Sequence, residues 1–227
     1  MPNKPVAWSF SALSSFNTCP RKHYETKVIK TYPDEMGEAG KWGDYVHRML
    51  DKRIGEKQPL PENVAQYETM AAKFDGVKGE VFSERKITLN RDMEEVAWFA
   101  KDAWLRVILD VSVLNGNKAF VGDWKTGKRK MDIDQLKLFA AVMFTVHPHL
   151  EEVSAGYIWL KERKIDKEKF YRRDVPELWR HFAPQVRRLV LAHKEQKWPE
   201  KPSGLCRAWC PVIACEFNGR RSHGNDS

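Results

Sequence analysis

The stretch Trp104–Lys130, WLRVILDVSVLNGNKAFVGDWKTGKRK, limits what this chain can become more than any other. Two β-branched, apolar runs flank Asn115-Gly116, the strongest short signal for a two-residue hairpin turn. With that turn, Leu114 stands opposite Asn117, Asp110 opposite Val121 and Asp123 opposite Ile108. Side chains alternate faces along a strand, which puts Asp110, Asp123 and Lys125 on one face. The two aspartates become diagonal neighbours, about 7–8 Å apart at Cα. Two acids and a lysine converging on a pleated face are costly unless they bind something. A divalent cation held between the carboxylates is the simplest occupant.

The remaining periodicities set this hairpin in an α/β frame. Trp8–Tyr24 opens with a serine-rich cap and a short helix that Pro20 should end just after Cys19. Gly40–Ile54 carries Trp42, Tyr45, Val46, Met49 and Leu50 at helical spacing, with His47 four residues after Gly43, a glycine that would let another backbone or a ligand approach closely. Val64–Phe74 predicts a second helix, Val81–Leu89 a strand with Glu84 near its centre, and Glu95–Phe99 a short strand. After the hairpin, Thr126–Lys130 is a basic loop, and Asp134 can cap a helix over Gln135–Val146. Val153–Lys161 and Lys167–Arg172 read as strands. A strand, a helix and a further strand make a crossover, so Val153–Lys161 should run parallel to the second hairpin strand. Pro176–Lys197 is mainly helical, with Pro184 placed to bend it.

An aspartate followed, across a short hairpin, by a strand-borne Asp-x-Lys resembles the PD-(D/E)XK nuclease superfamily, here on Asp110, Asp123, Trp124 and Lys125. Gly43-x-x-x-His47, and a serine-rich helix running into Cys19-Pro20-Arg21-Lys22, are similar to motifs of its RecB-like exonuclease group. The resemblance implies a restriction-endonuclease-like mixed α/β sheet flanked by helices. It also implies that Asp110 and Asp123 coordinate Mg²⁺ or Mn²⁺, with His47 and the Trp124 carbonyl completing the protein's ligands. Lys125 would then orient a water or neutralise developing charge. Glu84 would support the metal site, and Gln135 with Lys128, Arg129 and Lys130 would hold a nucleic-acid strand. The group's Gln-x-x-x-Tyr pattern has Gln135 here but Phe139 at the tyrosine position, which leaves the role of the phenolic hydroxyl open. Read without the resemblance, His47 is a satisfied packing histidine and Glu84 an ordinary exposed strand glutamate.

Cys19 stands far from a trio, Cys206, Cys210 and Cys215. Four thiolates suit tetrahedral zinc or a cubane cluster, and the spacing is not that of a zinc finger. One remote cysteine plus a trio resembles the iron–sulfur staple of AddB-type and CRISPR-associated RecB-like exonucleases. Their trio begins Cys-x-x-Cys, whereas this one is Cys-x-x-x-Cys-x-x-x-x-Cys. The resemblance implies a 4Fe-4S cluster, with zinc as the alternative, in a Cys₄ metal staple joining the termini.

A formal charge of +8 favours an anionic partner, with a merely solvated basic surface as the plainer alternative. Nine tryptophans and 42% hydrophobic residues argue for a folded globule. No apolar run approaches the roughly 18–20 residues of a membrane span, and MPNKPVAWSF lacks a signal peptide's apolar region. The expectation is a cytoplasmic protein with unpaired thiols. The length predicts a single domain over residues 1–218 with a flexible tail at 219–227. The reading that joins these features is a metal-dependent DNA exonuclease of recombination, repair or phage DNA processing, with a recombination or CRISPR-type protein partner. A non-cleaving DNA-binding or assembly subunit of the same fold, and a nuclease acting on RNA, are the alternatives. Oligomeric state stays open.

Overall fold

In a computed structural model that describes residues 7–33 and 36–220, the hairpin is the middle of a five-stranded sheet. The strands are β1 (Glu80–Leu89), β2 (Leu105–Asn115), β3 (Lys118–Lys125), β4 (Glu152–Trp159) and β5 (Lys164–Tyr171), ordered in space as in sequence. Neighbours are antiparallel except β3 and β4, which run parallel. The helices are α1 (Phe10–Thr18), α2 (Pro20–His23), α3 (Glu38–Gly55), α4 (Glu68–Ala71), α5 (Ile133–Val146) and α6 (Val175–Glu195). Helix α5 makes the crossover between the parallel strands, giving the mixed sheet with flanking helices that the pattern predicts. Residues 221–227 of the expected tail lie outside the described residues.

The hairpin register differs from the expected one by two residues. Asn115 pairs with Lys118, Leu114 with Ala119 and Val111 with Gly122, so the turn is Gly116-Asn117 rather than Asn115-Gly116. Gly116 takes φ +57° at the first central position, as a type II′ hairpin turn requires. The Asn117 carbonyl also accepts the Glu151 N–H at 2.7 Å, tying the turn to the start of β4. A slip of two preserves the face of every side chain, which is why the expected convergence of Asp110 and Asp123 survives it. In this register the two stand directly opposite, one step beyond the Val111–Gly122 pair, instead of on a diagonal.

Three other elements depart from the sequence pattern. The strand expected at Glu95–Phe99 reduces to one bridge between Glu95 and Leu89. Asn90 Oδ1 accepts the N–H groups of Asp92 and Glu94, each at 2.9 Å, and so turns the chain before a ladder can form. Val64–Phe74 becomes 3₁₀ turns on either side of the single α-turn α4. Asp132, not Asp134, caps α5, its carboxylate accepting the Asp134 N–H at 3.2 Å. Helix α6 runs on through Pro184.

Met36–Phe182 forms one compact unit. In it, α3 buries Val46, Leu50 and Ile54 in a cluster with Val111, Val113, Trp124 and Ile158 of the sheet. Gly43 leaves room for Thr126, whose hydroxyl would stand 3.2 Å from a Cβ there. The anticipated close approach at Gly43 is therefore that of the loop after β3. The described residues of Met1–Glu35 and Ala183–Ser227 form the other unit, an interlock of the chain's beginning and end. Trp198 stacks on Tyr24 at 5.0 Å and on His23 at 6.1 Å, and meets Phe16 edge-on. Lys201 Nζ donates to the Asn17 carbonyl at 2.6 Å, and Arg21 N–H to that of Pro199 at 3.3 Å.

Candidate active site

Where the β2–β3 ladder ends, side chains take over its work. Asp110 Oδ2 accepts the backbone N–H of Trp124 at 2.8 Å, pinning the aspartate to the strand that carries Asp123. His47, projecting from α3, lies between the same two residues: Nδ1 is 3.3 Å from Asp110 Oδ2 and Nε2 is 2.8 Å from the Trp124 carbonyl. A carbonyl only accepts, so Nε2 carries a proton. Burial works to lower the His47 pKa, but the hydrogen bond and charge of Asp110, the charge of Asp123 and the Trp124 carbonyl together raise it.

Asp123 is buried, and burial followed by the Asp110 charge pushes its carboxyl up to about 6. Gln135 Nε2 donates to Asp123 Oδ1 at 2.9 Å. Lys125 Nζ stands 2.5 Å from Oδ2, an ion pair that works against that rise. Glu84 falls opposite Asp110 on β1 and adopts φ +48°, in the left-handed region. Burial, then the charges of Asp110 and Asp51, raise its pKa, so the glutamate belongs to the same field of acids.

Asp110, Asp123, Lys125, His47 and Gln135 therefore form one connected group, with Glu84 on the neighbouring strand β1. Lys128 and Lys130 are exposed on the following loop. Arg129 is held by Asp166 in a bidentate pair at 2.6 Å. Sequence reasoning missed Tyr157. Phe139 is buried in the core, and Tyr157, paired with Asp123 across β3–β4, brings a phenolic hydroxyl within 2.9 Å of Gln135 Oε1. That hydroxyl also lies 2.8 Å from the Asp132 carbonyl. Carrying the parallel register through β4 in the sequence would have found it.

No three of His, Cys, Asp and Glu among the described residues stand close enough, as they are, to hold a metal ion. The donor chemistry nevertheless suits a hard divalent cation, being carboxylates and a carbonyl. Burial and the Asp110 charge hold the Asp123 carboxyl up at about 6 even with Lys125 beside it, so the two opposed acids would gain from a further positive charge. The residues fit such an ion, provided His47 releases the Trp124 carbonyl.

The PD-(D/E)XK nuclease superfamily matches residues 7–215. This chain belongs to that superfamily. Among solved structures it is similar to a candidate exonuclease from Eubacterium rectale, at 15% identity and a TM-score of 0.51, over 89% of this chain and 86% of that one. It is also similar to the protein SSO0001, at 14% identity and a TM-score of 0.46, over 93% and 87% of the two chains. The first of these likenesses speaks to the fold alone. No curated protein matches the sequence.

The superfamily match reaches to Cys215. Cys19, Cys206, Cys210 and Cys215 are all unpaired thiols and all line one cavity of about 80 Å³, walled also by Leu205, Trp209 and Val212. Burial raises the Cys215 thiol, and so do the nearby Cys210, Glu200 and Cys19. Four thiols sharing one cavity have the right chemistry for a soft metal centre, although they are not drawn together around one. No helix among the described residues is long and apolar enough to cross a membrane.

Proposed function

We propose that this chain is a divalent-metal-dependent deoxyribonuclease acting as an exonuclease. The observation that carries the proposal is the opposed pair Asp110–Asp123, with Lys125 against the second acid, in a member of a nuclease superfamily. Asp110 and Asp123, with His47 and the Trp124 carbonyl, would hold Mg²⁺ or Mn²⁺. The ion would supply Lewis-acid polarisation of a phosphoryl oxygen and a lowered water pKa.

The chain's own groups do the rest. The Trp124 N–H fixes Asp110, and Gln135 fixes Asp123 with its second oxygen toward Lys125. The Lys125 ammonium orients the attacking water or neutralises charge developing on the phosphate. Glu84 supports the acidic field, and Lys128, Lys130 and Gln135 grip the strand. Arg129 joins that grip only by leaving Asp166. Exonuclease action and DNA as substrate rest on the RecB-like resemblance, and exonuclease is also the description borne by the Eubacterium rectale protein. A role in recombination, repair or phage DNA processing, with a protein partner of that kind, rests on the resemblance alone.

A second centre is proposed at Cys19, Cys206, Cys210 and Cys215, holding a 4Fe-4S cluster or, alternatively, zinc, in a structural role. Its support is the single cavity that all four thiols line.

The test is cleavage of end-labelled single- and double-stranded DNA and RNA with Mg²⁺, Mn²⁺ or EDTA. Stepwise DNA shortening with either ion and none with EDTA is expected. Binding without cleavage under every condition would point to an assembly subunit, and cleavage confined to RNA would overturn the substrate.

A further inference from the structure

Between Leu105 and Asp110 the burial of β2 alternates strictly: Leu105, Val107 and Leu109 are buried, while Arg106, Ile108 and Asp110 face outward. The outward row therefore runs from the catalytic aspartate through Ile108 to Arg106, about 14 Å along the strand. On β1, Lys86 is the partner of Ile108 and is also exposed. Beside this row the β1–β2 connection folds a tight turn. Ala100 N–H donates to the Ala97 carbonyl at 2.9 Å, which leaves Trp98 and Phe99 as its two central residues.

The Trp98 ring has Arg106 Cζ at 5.8 Å and Lys86 Nζ at 6.0 Å from its centre. Arg106 Nε also donates to the Trp98 carbonyl at 2.8 Å, fixing the turn to the row. Phe99 is 86% exposed at the tip, more than any other large hydrophobic side chain described. A single exposed apolar residue needs no explanation. An aromatic pair on a hydrogen-bonded turn, flanked by two cations and continuous with an acidic catalytic centre, does.

We propose that Trp98 and Phe99, with Lys86 and Arg106, form a stacking platform for unpaired bases of the nucleic-acid substrate. The proposal deepens the nuclease reading and rests on it: the substrate at the catalytic centre is a single-stranded DNA tail. A base can lie on an aromatic face only when it is free of its duplex neighbours, and such stacking tolerates any sequence because every base has a π-face. The two cations complement the phosphates of the same strand. The connection itself also carries Asp92, Glu94, Glu95 and Asp102, so affinity at this subsite comes from stacking more than from charge. The distance from Asp110 to Arg106 is the reach of two to four nucleotides, given about 3.4 Å or more per nucleotide.

The experiment measures binding of the full chain to fluorescent oligo-dT and to a blunt duplex of equal length, in EDTA so that neither is cut. Phe99→Ala should weaken oligo-dT binding about ten-fold and leave duplex binding unchanged. Lys86→Ala should have a smaller effect and lower the salt dependence by about one counterion. Equal oligo-dT binding by Phe99→Ala and the parent protein overturns the platform, as does an equal loss on both nucleic acids. Phe99 is almost fully exposed, so misfolding does not confuse the result. A protein that loses oligo-dT binding with Phe99→Ala yet never cleaves keeps the platform and sinks the nuclease reading. One that cleaves normally but binds oligo-dT regardless of Phe99 does the reverse.

Discussion

The carboxylate centre and the cysteine segment are assembled by opposite means. Asp110, Asp123 and Lys125 sit on neighbouring strands one to three residues beyond the last β2–β3 pair, where Trp124 N–H, Gln135 and His47 lock the side chains. Cys210 and Cys215 instead lie on irregular backbone after α6, and Cys206 ends the short 3₁₀ turn Gly204–Cys206, the only regular element described there. That segment is held by the Asn218 amide, which donates to the Cys210 and Val212 carbonyls, and by Gly219 N–H on the Cys206 carbonyl, rather than by a ladder. A site on a sheet can lose its ion and keep its shape. A site on loops depends on whatever fills it.

The sharpest test of that contrast is chemical. Asp123→Asn and Lys125→Ala should each lower cleavage about 10³-fold or more while the protein unfolds at nearly the parent temperature. Nucleic-acid binding should persist. Substantial cleavage by either purified variant would remove the residue from the reaction, and a collapsed fold would mean the site is structural. Asp110→Asn should match Asp123→Asn in cleavage and also weaken the ion, read by calorimetric titration with Mn²⁺.

The cysteine segment should behave the other way. Protein purified without oxygen should be brown, with about four irons per chain, if the centre is a cubane, or colourless with one zinc if it is not. Cys19→Ala should lose the metal and several kcal/mol of stability, with cleavage declining only as folding fails. Metal-free protein with full stability would mean that the four thiols merely line a cavity.

A third difference lies in pH. Burial, followed by the charges of His193 and Lys27, lowers His23 from 6.5 to about 4. The unfolded chain therefore takes up this proton more readily than the folded one across that interval. The stabilisation is complete above pH 6.5 and is lost as pH falls toward 4. At about 1.36 kcal/mol per pH unit the loss reaches about 3 kcal/mol at most. His23→Phe should flatten the slope of denaturation free energy between pH 6.5 and 4; an unchanged slope would place the titrating group elsewhere.

The smallest expected effect concerns Tyr157. Its hydroxyl lies against Gln135 Oε1, which turns the amide's donor side toward Asp123. Tyr157→Phe should cost about 1 kcal/mol of that alignment, a several-fold fall in kcat with KM unchanged. A rise in KM alone would make Tyr157 a substrate contact.

The residues of the carboxylate centre were legible because a period of two survives a register slip of two. Asp110 and Asp123 meet whether the turn is Asn115-Gly116 or Gly116-Asn117, so the site was more secure than the turn that defined it. Gly43 was legible as a point of close approach, but not its partner Thr126, since that contact joins distant segments. Asp132 displaced Asp134 as the cap because both are good capping residues and only the helix start chooses between them. The Glu95–Phe99 strand failed for a local reason, Asn90 taking two backbone donors that a ladder would have used. Tyr157 was invisible to motif reading because it comes from a strand, whereas the pattern places a tyrosine on the helix.

Glu84 holds φ +48° in the middle of a strand, opposite Asp110. For a residue with a Cβ this conformation carries a penalty of about 1–2 kcal/mol that glycine would not incur. A glycine at this position would relieve that penalty and strip an acid from the field around Asp110. Backbone ease and negative charge beside Asp110 therefore pull this one position in opposite directions.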